Sequence, residues 1–287
     1  MAAGLPPGPA RGWASVVSAA AVLILGLGLF FAASSRAWVA FEARPAGPVV
    51  FALGRGQAPD AAALSEGIAA LERATAGAGG RRIDPAAYGS LALLRLEQAR
   101  REASRPELAL AEISAGVTAQ RAGLERAPAS GSGWARLVYA EELRGEKLRA
   151  QQAWALAPNP GDAAGLGLEA ESEAGLGTGA EADALALEAL EMAFLTRDLS
   201  FSLVRFRLAA SLARYSELPS WLQGLARAEV LELTRYGGRG LEALVDLYVS
   251  PPGPESAALI EVELAAEPAS QTGFARRLER RQRARRP

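Results

Sequence analysis

Apolar residues return every three or four positions through most of this chain, the period of helices that bury one face. Leu64, Ile68 and Leu71 set such a face after Pro59-Asp60, and the run Gly77-Ala78-Gly79-Gly80 closes it. Asp84-Pro85 reads as a helix N-cap followed by proline at the first helical position, with Leu91, Leu94 and Gln98 continuing the face. Arg105-Pro106 breaks that helix and opens another, carrying Leu108, Ile113 and Leu124 and ending at Pro128 and the loop 130–133. Further helices are predicted from Trp134 to Gly145, from there through Ala150 and Trp154 to Pro158, and over 181–194, 199–215, 219–236 and 240–249. In the helix after Pro219, the residues Leu222, Leu225, Val230 and Leu233 form the apolar face, while Arg227 and Glu232 face water. Pro251-Pro252-Gly253-Pro254 closes the packed region. Only 48–53 reads as a short strand.

One stretch breaks this rhythm. From Gly12 to Ser35 there is no charge, and 19–31 is the densest apolar run in the chain. A bilayer needs about 20 apolar residues as a helix, longer than the core of a signal peptide. The expectation is a retained single transmembrane helix over 13–35, anchored by Trp13, Leu23, Ile24, Leu25, Phe30 and Phe31. Around it the chain divides into a short tail (1–12), a Pro- and Gly-rich linker (36–58), a helical domain (59–250) and a Pro-rich, then Arg-rich tail (251–287). The partner expected from the span is the lipid bilayer. Arg11 precedes the span and Arg36, Arg44 and Arg55 follow it, so flanking charge does not orient it. Long domains translocate largely regardless of charge, which places the domain on the extracytoplasmic side of the inner (cytoplasmic) membrane.

Composition narrows the chemistry. The chain has 287 residues with neither cysteine nor histidine, which excludes disulfides, zinc fingers, His-dependent triads and imidazole-ligated metals. No cofactor is expected. Half the residues are hydrophobic but only 6% are aromatic, so the core is made of many small Ala and Leu contacts. A net charge of −1 gives no field that would favour nucleic acid, and none is expected as a partner.

Two segments end a helix with small residues and proline, at Pro128 and Pro158, a spacing that suits a helix-turn-helix repeat. Here the chain resembles the tetratricopeptide repeat family. Trp134 and Leu137 match the family's first-helix pattern, Gly145 its turn glycine, Ala150 and Trp154 its second-helix small residue and aromatic, and Pro158 its terminal proline. Val138 and Glu141 depart from the pattern, and Pro158 arrives about one turn early. The resemblance implies an all-α array of antiparallel helix pairs, an α-solenoid. More loosely, 184–248 is similar to helical-repeat proteins of bacterial envelope polysaccharide systems, through Leu190–Thr196, Arg205–Leu208, Leu218–Leu222 and Arg235-Tyr236 before Ala243-Leu244.

Two charge features remain. No basic residue lies between Arg149 and Arg197, a stretch holding Asp162, Glu169, Glu171, Glu173, Glu181, Asp183, Glu188 and Glu191. Interspersed surface carboxylates of this kind are ordinary solvated faces. The C-terminus carries Arg276, Arg277, Arg280, Arg281, Arg283, Arg285 and Arg286 against Glu279, an anion-binding tail that could also fold onto the chain's own acidic stretch. Glu141 and Glu142 beside Tyr139 point about 100° apart on a helix and do not address one site together. The reading is a membrane-anchored scaffold that holds a protein partner, with no catalytic residue. The alternatives are a carboxylate-dependent glycan hydrolase or lyase and a cytoplasm-facing adaptor whose arginine tail meets lipid.

Overall fold

The computed structural model describes residues 10–76, 84–155 and 178–284, without the side chains of 10–20, 28, 31, 32, 35, 36 and 153–155. Among the described residues there are twelve α-helices, one 3-10 turn and no strand. The all-α expectation stands. The helices are α1 (Ala10–Ala43), α2 (Ala46–Gly54), α3 (Ala61–Ala76), α4 (Pro85–Arg101), α5 (Pro106–Arg126), α6 (Gly131–Ala155), α7 (Gly179–Leu195), α8 (Phe201–Ala213), α9 (Ser220–Arg235), α10 (Gly237–Val249), α11 (Ser256–Ala265) and α12 (Pro268–Ala284). The chain divides into two compact units, Met1–Leu91 and Ala92–Pro287, with the boundary inside α4.

The transmembrane expectation is corrected. Among the described residues no helix is long and apolar enough to cross a membrane, so the single-pass anchor at 13–35 and the inner-membrane location fall with it. Leu23, Ile24, Leu25 and Phe30 stand 65–68% exposed, so the segment is not a buried core helix either. The side chains of Trp13 and Phe31 lie outside the described residues. The same helix runs on to Ala43, where Val39 is buried and Glu42 pairs with Arg73 of α3 at 3.7 Å.

The linker expected at 36–58 is helix as well. Pro48 falls in the first turn of α2, where a missing N–H costs nothing, and Ala46 and Val49 are buried in this first unit. The strand expected at 48–53 is part of that helix. Helix starts were legible: the Asp60 carboxylate accepts from the Ala63 amide at 2.7 Å, and that of Asp84 from the Ala86 amide at 2.9 Å.

In the second unit, helices adjacent in the chain pack on one another, α6 against both α5 and α7, and α9 against both α8 and α10. Three buried clusters hold it together: one around Ile113, Val138, Leu190 and Leu222, one around Val204, Leu208, Val230 and Leu244, and a small one of Leu110, Leu148 and Ala182. The expected tetratricopeptide unit at 134–158 is not formed, because α6 passes through Gly145 without a turn. Gly145 is instead buried at the crossing of α6 and α7. A Cβ there would stand 3.2–3.4 Å from Asp183, Arg149 and Ala182. Opposite it, a Cβ at Gly179 would meet Arg149 at 2.9 Å. Two glycines thus let the helices approach closely, which is why the residue that looks like a turn is a packing site.

The prolines at 251–254 end α10 but not the packed region. Leu259, Ile260 and Leu264 of α11 and Phe274 of α12 are buried in the same cluster as α8, α9 and α10. Glycines mark the tightest corners. A Cβ at Gly240 would fall 1.7 Å from the Leu233 carbonyl oxygen, and one at Gly253 would fall 2.1 Å from that of Leu212. Backbone cannot yield as a side-chain tip does. Gly240→Ala and Gly253→Ala should therefore each destabilise the fold by about 2 kcal/mol or more, read from urea midpoints. Gly224, in mid-α9 with nothing near its absent Cβ, should behave oppositely: Gly224→Ala should stabilise by about 0.5–1 kcal/mol.

Candidate functional site

The second unit is organised around a buried ion pair. On α8, Leu203, Val204, Arg207, Leu208 and Ser211 all face inward, so helical spacing places a guanidinium at the centre of an apolar face. Arg207 is 1% exposed. Its Nε and Nη2 donate to Oε1 of Glu229 on α9, at 2.9 and 2.5 Å. Its Nη1 donates to the Asp198 carbonyl at 2.7 Å and reaches the Ala193 carbonyl at 3.4 Å. The Phe194 ring lies 5.3 Å from the guanidinium carbon. One side chain therefore joins the end of α7, the turn after it, α8 and α9. That turn contains Arg197 at φ 51°, a left-handed conformation that favours glycine.

Glu229 has only one satisfied oxygen; Oε2 is buried with no partner. Burial pushes its carboxyl up to about 7, against the opposing pull of Arg207, and Glu232 on the same helix adds to the rise. A carboxylate this enclosed is a structural group. It meets no substrate unless the helices part.

The neighbouring carboxylates are also engaged. Glu141 is fully buried, one oxygen accepting from Arg121 at 2.7 Å and the other from Arg144 at 3.3 Å. Glu142 turns instead to Arg214 at 3.4 Å, and burial raises its pKa. The two acids lie on different sides of α6, as their adjacency on a helix requires. Arg214 also donates to the Asp183 carbonyl, and Asp183 pairs with Arg149. Among the described residues no group of three or more acids is placed to hold a metal ion.

The residues expected to pack the repeat divide. Leu137 is buried, and Trp134 packs against the core with its indole N–H donating to the Pro128 carbonyl at 2.7 Å. Ala150 is exposed. The Trp154 side chain and Pro158 lie outside the described residues, as do Asp162, Glu169, Glu171 and Glu173.

The arginine tail is not a loose tail. It forms α12, docked on α10 through Phe274 and Leu278. Arg277 and Arg280 share Glu242 at 3.3 and 3.8 Å, Arg281 pairs with Asp246 at 3.1 Å, and Arg283 with Glu279 on its own helix. It therefore finds its acids on α10 and α12, and not on Glu181, Asp183, Glu188 or Glu191 of α7. Arg276 is exposed, and Arg285 and Arg286 lie outside the described residues.

The surface group that the sequence reading misplaced is on α9. Leu222, Ala226, Glu229, Val230 and Leu233 form its buried face. Leu225 is not among them: it is 37% exposed, and Trp221 43%. With Gly224 and Ala228 they make an uncharged outer stripe at positions 0, 3, 4 and 7 of the helix. Arg227, expected to face water, bonds Glu263 of α11 beside this stripe. The signal was available, since Leu222 and Leu225 lie three apart while Ala226 and Leu233 continue the face from Leu222 in steps of four and seven.

Removing one partner of the buried pair leaves the other uncompensated. Arg207→Met should cost about 3–5 kcal/mol, with Arg207→Met/Glu229→Leu recovering most of it in a double-mutant cycle by urea unfolding. Stability should also depend on pH through Glu229. Between 4.5 and about 7 the folded state holds a proton that the unfolded chain has released. Stability should thus fall as pH rises through that window, by up to about 3 kcal/mol, and stay level above it. Glu229→Gln should flatten that slope.

Compared with models of known protein families, with curated proteins and with solved structures, the chain matches none.

Proposed function

We propose that this protein is a helical scaffold that holds a protein partner on the outer stripe of α9, with no catalysis of its own. The supporting observation is the stripe itself. Trp221 and Leu225 are large, apolar and half out in water on one face, on a helix whose opposite face is fixed by the Arg207–Glu229 pair. An aromatic anchor on a rigid helix gives contact area at low entropic cost, and tryptophan is enriched among residues that dominate interfaces. Gly224 lies between them with open space over it. A mid-helix glycine costs about 1 kcal/mol relative to alanine, and that cost has a use where a partner's backbone approaches closely. The polar machinery is directed inward, since the enclosed carboxylates Glu141 and Glu229 are each held by arginines. The likeness of 184–248 to helical-repeat proteins of envelope polysaccharide systems makes such an assembly the first source of candidate partners.

A photo-crosslinking residue at position 228 should yield one discrete protein adduct in the native host. Trp221→Ala/Leu225→Ser should reduce that adduct at least ten-fold while leaving the urea midpoint nearly unchanged. An adduct that survives the double substitution, or none at all, overturns the reading.

A further inference from the structure

The second unit carries two outward charge rows of opposite sign. On α7, Glu181 and Glu188 are exposed and seven residues apart, and Leu195, seven further on, is 58% exposed. Two turns of helix keep such residues on one face with a spacing of about 10.5 Å. Helix α7 carries no basic residue, and among the described residues no cation pairs with Glu181 or Glu188. The acid that α7 does use for an ion pair is Asp183, engaged by Arg149 and Arg214.

On α12 the exposed positions Ala269, Arg276 and Arg283 repeat the same interval of seven. Cations exceed acids here. Glu242 serves both Arg277 and Arg280, and Asp246 serves both Arg205 and Arg281. Four guanidinium groups thus share two carboxylates. Among the described residues Arg276 adds a fifth that pairs with no acid, and Arg283 pairs with Glu279 one turn back. The acids of α10 and α12 leave the positive charge incompletely balanced, and the unused acids of α7 do not reach it within one molecule.

We infer that the α7 face of one copy docks antiparallel on the α12 face of a second copy, with Glu181 opposite Arg283, Glu188 opposite Arg276 and Leu195 against Ala269. Equal intervals of seven on both helices bring all three positions into register at once, with the shallow left-handed crossing that such a repeat favours. Arg280 lies one turn from Arg276 toward Arg283 and adds positive charge at the middle of the contact. Exposed ion pairs are individually weak, so the assembly is reversible and sensitive to salt.

Sedimentation velocity of the full chain at about 100 μM tests this in about 20 mM and 1 M salt. Self-association is expected at low salt and loss of it at high salt. Glu181→Arg/Glu188→Arg and Arg276→Glu/Arg283→Glu should each weaken association at least ten-fold, with unchanged thermal melting. Mixing the two variants should restore mixed-copy pairing through the α12 face of the first and the α7 face of the second. Combining all four substitutions in one chain should restore self-association. A chain that is monomeric at low salt overturns the inference. So does association that persists in 1 M salt, or that either reversal leaves intact.

Discussion

The packing of α7, α8 and α9 in the second unit turns on the burial of one guanidinium. Arg207 holds two backbone carbonyls and a carboxylate in a space from which water is excluded. A lone buried charge would be prohibitive; a shared one couples α7, α8 and α9, because Arg207 stands on α8 and its partners come from α7, the turn after it and α9. The pairing is incomplete, since one Glu229 oxygen finds no donor. Burial raises the carboxyl to about 7 against the pull of Arg207, so the pair is poised between a salt bridge and a neutral hydrogen bond. An Ala-rich core with few aromatics gains less from each apolar contact than a core of large side chains, so a directional polar contact at its centre does more to select one packing.

Helices were legible because their punctuation is local. Asp60, Asp84 and Pro106 act within one turn of themselves, and their neighbours obey. The misreadings share a cause: glycine and proline were given turn roles where the fold uses them otherwise. Pro48 breaks nothing in a first turn. Gly145 removes a side chain at a helix crossing. Gly253 makes room for a carbonyl and lets the chain turn back to bury α11. No local rule separates a turn glycine from a packing glycine, because the neighbour that requires it is distant in sequence. The membrane span failed differently: the run 19–31 met the hydropathy expectation, yet among the described residues no helix is long and apolar enough to cross a membrane.

The candidate site was legible only in part. The residues 218–222 stood out, yet Leu225 was placed on the inner face because it completes a plausible three-residue step from Leu222. The actual inner face steps by four to Ala226, leaving Leu225 to project with Trp221. Arg207 was passed over for a related reason. Charge is read as exposure unless its helical position is compared with that of its neighbours, and Val204, Leu208 and Ser211 already fix that position as buried.

The same comparison separates the arginines into two kinds. Arg207 and Arg214 are enclosed and each meets a carboxylate of another helix, while the enclosed Arg144 meets Glu141 on its own helix. On α12, Arg277, Arg280 and Arg281 share Glu242 and Asp246 of α10, and Asp246 also serves Arg205 of α8. A protein of net charge −1 can thus be matched inside and polarised outside. Inner pairs define which helices meet. Unequal outer rows leave attraction that no contact within one copy uses, and this residual field steers whatever comes next to that surface.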